Sequence, residues 1–133
     1  MASLPPRVLL IIGDQWDRSF IRAALREVGY DAVGARSTAE AQRYRSIEPG
    51  RGTIGLIVAD HEAGAERDAL ADVVASHRSP PLILVARGTQ APPPGSWSRV
   101  IRRPLSVADV VEAVESALPL AAEARRPLDD SSS

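Results

Sequence analysis

The chain has 133 residues, no cysteine, two histidines and 16 basic side chains, all of them arginine. Disulfide scaffolds, thiolate metal sites, cysteine nucleophiles, Schiff-base lysines and a P-loop lysine are excluded, because each needs an atom the chain lacks. A net charge of −1 offers no global attraction to nucleic acid or an anionic membrane, and without an apolar run of about 18 residues the expectation is one globular, non-membrane domain. The first six residues lack the basic start and apolar stretch of a signal peptide, so the expected location is cytoplasmic.

Val8 to Ile12 is a short apolar run closed by Gly13, the pattern of a strand buried on both faces. A helix follows, with Phe20, Ile21, Ala24, Leu25 and Val28 on its apolar side and Arg18, Arg22 and Arg26 on the solvated one. Gly29 is placed to end it. Tyr30 to Ala35 predicts a second strand, and Ser37-Thr38-Ala39-Glu40 has the capping-box pattern of a helix running to about Ile47. Pro49 to Gly52 breaks the chain before a third strand, Ile54 to Ala59, which stops at Asp60. The next helix is expected over about Ala65 to His77, with Leu70, Val73, Val74 and His77 facing the core.

Leu82 to Ala86 predicts a fourth strand. The alternation then fails, because Pro92-Pro93-Pro94-Gly95 excludes a normal helix where one is due. Arg99 to Ile101 is a last short strand, and a helix capped at Ser106 buries Val107, Val110, Val111, Val114 and Leu118. The expected layout is an N-terminal extension over 1–6, a domain over 7–119 and a solvated tail over 120–133. The fold class is α/β: an open, doubly wound, parallel five-stranded sheet with helices on both faces. Function in such sheets gathers at the carboxyl ends of the strands.

Those ends carry Gly13 and Asp14, then Asp60, then Ala86 and Arg87, then Arg102-Arg103-Pro104. Two carboxylates beside a guanidinium suit Mg²⁺ or a phosphoryl group. They equally suit helix and turn caps, with Asp14 opening the first helix and Asp60 a turn.

From Arg7 to about Leu118 the chain resembles the receiver domain of bacterial two-component response regulators. The likeness is carried by Arg7-Val-Leu-Leu-Ile-Ile with the arginine-bearing helix and Gly29-Tyr30, by Ser37 to Ala41, by Ile57-Val58-Ala59-Asp60, by Pro81-Leu-Ile-Leu-Val-Ala86, and by Ile101-Arg102-Arg103-Pro104-Leu105. The resemblance implies a sheet order of 2-1-3-4-5, Asp60 as phosphoacceptor, and Mg²⁺ held by an acidic pair after the first strand. It also implies a cis bond between Arg103 and Pro104 and a histidine kinase or other signalling protein as partner, with Arg18, Arg22 and Arg26 on the docking helix.

Several positions depart from the family's pattern. Aligned without a gap the acidic pair falls on Ile12 and Gly13, and with one deletion Asp14 becomes its second member; either way one carboxylate is missing, and two carboxylates make a poorer Mg²⁺ site than three. Ala86 replaces the hydroxyl residue that contacts the phosphoryl group. Arg103 replaces a lysine, and its fork could pair with Asp60 and fill the phosphoryl space. The proline run replaces the fourth helix, which was to move on activation.

Three readings follow: a pseudo-receiver that works by protein–protein contact with weakened or absent phosphorylation, a receiver still phosphorylated at Asp60, or a flavodoxin-like module for a small ligand. The departures favour the first. The single glycine and the acid in Gly13-Asp14-Gln15-Trp16 argue against the third. Trp16 is expected to pack at the start of the first helix, Trp97 to anchor the proline loop or meet a partner, His61 to lie solvated in a loop and His77 to pack at a helix end. A homodimer through the last strand and helix is compatible with this reading, with no residue pattern that argues for it.

Overall fold

The structure, a computed structural model, describes residues 4–44, the backbone of 47 and 48, 50–102 and 106–120. Runs of Val, Leu and Ile form the strands and alternate with amphipathic or capped segments. In chain order the elements are β1 (Arg7–Ile11), α1 (Gln15–Val28), β2 (Asp31–Ala35), α2 (Thr38–Ala41), β3 (Ile47–Glu48), β4 (Gly52–Asp60), α3 (His61–Ala65), α4 (Arg67–Ser76), β5 (Leu82–Ala86), β6 (Arg99–Arg102) and α5 (Val107–Ala117).

Five strands run parallel in the order β2-β1-β4-β5-β6, which is the expected 2-1-3-4-5 arrangement. Successive side chains of a strand point to opposite faces, so β1 divides its apolar run between two cores. Val8 and Leu10 join Ile21, Leu25, Leu56, Val58, Ile83, Val85, Val110 and Val114. Leu9 and Ile11 join Val33, Ala41, Ile57, Leu70 and Val73 on the other side. Burial of each such side chain stabilises by about 1.5–3 kcal/mol, and only a sheet covered on both faces uses the whole run.

Local chemistry sets the helix ends. Asp14 Oδ1 accepts the Asp17 N–H at 2.9 Å to open α1, and Gly29, at φ 126°, closes it. Ser37 Oγ accepts the Glu40 N–H at 3.1 Å to open α2. In α5, Ser106 caps the Asp109 N–H, and Val110, Ala113 and Val114 are buried.

The sequence reading departs from the structure at four points. The helix expected to reach Ile47 ends at Ala41, and Ile47 instead pairs with Thr53 in an antiparallel β3–β4 hairpin. Two backbone pairs there satisfy groups a frayed helix would leave open. The helix expected from Ala65 begins at His61, because Asp60 caps it, and is interrupted at Glu66 before α4. Phe20, placed on the apolar side of α1, is 57% exposed. Ile21 and Leu25 centre the buried stripe, and Phe20 lies one residue, or about 100°, off it. Trp16, expected to pack, is 70% exposed and stacks on Phe20 with ring centroids 6.1 Å apart.

No helix among the described residues is long and apolar enough to cross a membrane. The packed chain extends to Leu120, which is buried in the α1/α5 core. Residues 1–3 and the tail over 121–133 lie outside the described residues.

Candidate functional site

At the carboxyl edge of the sheet, β1 and β4 are neighbours in parallel register, Ile11 opposite Ala59. This brings the turn after Ile11 against Asp60. Asp60 is 7% exposed, and each of its oxygens already accepts a backbone N–H: Oδ2 from Gly13 at 2.8 Å and Oδ1 from Ala63 at 2.9 Å. The first bond ties the end of β1 to the end of β4, and the second caps α3. Of the roughly four acceptor positions a carboxylate offers, two are thus taken by the chain itself.

Arg18 holds the same turn from outside, its Nη1 donating to the carbonyls of Ile12 at 2.7 Å and Gly13 at 3.3 Å. Beside Asp60 lies a recess of about 460 Å³ lined by Gly13, Asp14, Arg36, Ser37, Glu62 and Glu66. Its charged groups are largely committed. Asp14 caps α1, Glu66 accepts from the Thr38 hydroxyl at 3.0 Å, Arg36 pairs with Glu40, and Glu62 pairs with Arg87. The Arg36 N–H and guanidinium hold the Glu40 carboxyl below the usual carboxylate range.

A Mg²⁺ ion requires near-octahedral oxygen ligation. Asp14 and Asp60 are the two carboxylates the sequence offers it. Among the described residues no three acids or histidines come together as a metal group, and each candidate already accepts backbone N–H bonds, one on Asp14 and two on Asp60. Two partly committed carboxylates make a sparse donor set for the ion.

Ala86 is fully buried at the end of β5, one residue beyond Val85, the register partner of Asp60, and carries no hydroxyl. Arg87 turns away from the Asp60 carboxylate toward Glu62, and its backbone N–H donates to His61 Nδ1 at 3.2 Å. His61, expected to be a solvated loop residue, is therefore half-buried and braces the loop after β5. Arg102 pins the same loop, donating to Gly88 O and Gln90 O at 3.2 and 2.9 Å. Arg103 and Pro104 lie outside the described residues, and with them the expected Asp60–Arg103 pair and cis bond.

Trp97 anchors the proline loop: its Nε1 donates to Pro93 O at 2.8 Å, and the ring packs on the core under α4. Arg22, expected in a solvated row with Arg18 and Arg26, is also tied down, its Nε donating to Ala32 O at 3.2 Å. Arg26 is exposed.

Sequence reasoning missed two features. Arg7 is buried at 1% exposure between Asp31, 3.2 Å away, and the Gly52 carbonyl. Its position at the start of a buried strand, with Asp31 opening the neighbouring strand, was the signal. The second is the exposed Trp16–Phe20 pair, whose spacing of four places both rings on one helix face.

No family model matches the sequence, and no curated protein matches it. Solved structures do match its fold. A response regulator receiver protein from Pseudomonas putida is 22% identical, with a TM-score of 0.66 over 86% of this chain and 99% of that one. The non-phosphorylated HemR receiver domain from Leptospira biflexa is 20% identical, with a TM-score of 0.65 over 87% and 96%. The chemotaxis protein CheY4 from Vibrio cholerae is 14% identical, with a TM-score of 0.66 over 86% and 99%. The chain has the CheY-like fold of response regulator receiver domains.

Proposed function

We propose that this receiver-fold chain is a signalling module that acts through protein–protein contact and does not use phosphorylation of Asp60 as its switch. The observation that carries this reading is the double use of the Asp60 carboxylate, whose oxygens accept the Gly13 and Ala63 amides. A phosphoryl group on either oxygen would neutralise that oxygen and weaken the amide bond it accepts, and Ala86 has no hydroxyl to offer the group. That no three acids or histidines gather as a metal group among the described residues supports the same reading. The partner is a histidine kinase or another signalling protein, met by the exposed Trp16–Phe20 pair, since aromatic side chains supply large contact area at low ordering cost.

Intact-mass spectrometry after incubation with acetyl phosphate and Mg²⁺ tests this reading. The expected outcome is no phosphoryl adduct on the wild-type protein. An adduct that disappears in Asp60→Asn would overturn the reading and make Asp60 a working phosphoacceptor.

A further inference from the structure

A second recess, of about 450 Å³, opens on the other side of β1, between α1 and the β2 edge of the sheet. Three guanidiniums line it, Arg18 and Arg22 from α1 and Arg51 from the turn before β4, together with Gln15, Ser19 and Tyr44. Every one of these side chains can donate a hydrogen bond, and no carboxylate is among the described residues lining the recess. Asp31 pairs with Arg51 and Arg7, so it offsets the Arg51 charge at the rim of the recess, and Glu40 pairs with Arg36.

The guanidiniums are held in place before any ligand arrives. Arg18 is fixed on the Ile12 and Gly13 carbonyls, Arg22 on the Ala32 carbonyl, and Arg51 on Asp31 by two bonds of 2.9 and 2.6 Å. Gly34 lets the Arg18 stem lie flat on β2, because a Cβ there would come within 3.0 Å of Arg18 Cδ. Arg18 and Arg22 lie on backbone carbonyls with no carboxylate partner among the described residues, so bringing these two charges together costs Coulomb energy. Much of the ordering entropy that an anion would otherwise have to offset is already met by the fold.

We infer that this recess is a binding site for a small soluble phosphate-bearing molecule with at least two negative charges, clamped by Arg18 and Arg22 beside the Asp31-paired Arg51. Phosphate oxygens match the guanidinium fork, and the volume is within the range of about 300–1,000 Å³ for small-ligand pockets. The site is independent of phosphotransfer at Asp60.

Titration of the full chain with pyrophosphate and with AMP at low salt, followed by amide-resolved NMR, tests the inference. Saturable shifts are expected in the first turns of α1 and at Ala32 to Gly34. Arg22→Ala, at an exposed position that leaves the core intact, weakens binding by about tenfold or more. Arg26→Ala, on the same helix but outside the recess, leaves it within about twofold. Absence of saturable shifts at about millimolar ligand, or equal losses in the two variants, overturns the site. Co-sedimentation with phosphatidylcholine vesicles, with and without a phosphoinositide, separates the sources. Capture by the phosphoinositide vesicles without binding of either soluble probe overturns the assignment.

Discussion

His77 closes α4 with 2% of its surface exposed, and neither ring nitrogen has a hydrogen-bond partner among the described residues. Burial first, and the Arg7 charge second, pull its pKa below the ordinary value near 6.5. The folded state therefore holds His77 neutral, while the unfolded chain takes up a proton below about pH 6.5. Its contribution to stability is complete above that value and declines as pH falls toward the lowered folded pKa. Urea unfolding across that window should show stability falling with pH in the wild type, and a flatter profile in His77→Leu. Among the site residues, Asp14 and Asp60 illustrate how far sequence carries. Their roles as caps and their placement at strand ends were both legible, but which oxygen meets which amide was not. That depends on the approach of Gly13 to Asp60, 47 positions away in the chain.

Between β5 and β6 the chain crosses without a helix, as the proline run predicts, and the loop is held by its own packing. Trp97 reaches back to Pro93 O, and the Ser98 N–H donates to Leu82 O at 2.7 Å. Gly64 in α3 is the seat for this loop. A Cβ there would lie 2.8 Å from Leu84 Cδ1, 3.2 Å from Pro93 Cγ and 3.3 Å from Trp97 Cη2. Gly64→Ala should cost about 1–3 kcal/mol in chemical denaturation through overpacking, with a changed Trp97 fluorescence reporting displacement of the loop. An unchanged midpoint and spectrum would show that the loop is not seated on α3. The missed β3–β4 hairpin belongs to this scale as well. A two-residue strand carries too little periodicity to be told from a helix end, and Glu40, which completes the capping box, favoured the longer helix.

At the scale of the whole molecule, a partly buried ion network joins strands that are far apart in sequence. Arg7 on β1 and Arg51 before β4 both meet Asp31 at the start of β2. The Arg51 bonds, reinforced by the charges of Arg51, Arg7 and Arg26, outweigh burial and lower the Asp31 pKa below 3.8. The stability this carboxylate contributes is present above its unfolded value and is lost as pH falls through the lowered folded one. Asp31→Asn should cost about 1.5–3 kcal/mol at neutral pH, and the gap to wild type should narrow on acidification below about pH 3.8. A gap independent of pH would remove the network as its cause.

The order of apolar runs, capping residues and proline breaks in the amino-acid sequence was sufficient to determine the parallel α/β architecture and the absence of a helix after β5, while the strand order was read from the resemblance to receiver domains. The first two follow from periodicity and backbone chemistry, which act over a few residues. Tertiary structure alone decided that the Asp60 carboxylate is spent on the Gly13 and Ala63 amides, that Trp16 and Phe20 face solvent, and that Arg18, Arg22 and Arg51 surround one recess. Each of these depends on side chains brought together across the sheet or on small rotations of a helix about its axis. No pattern along the chain encodes those distances.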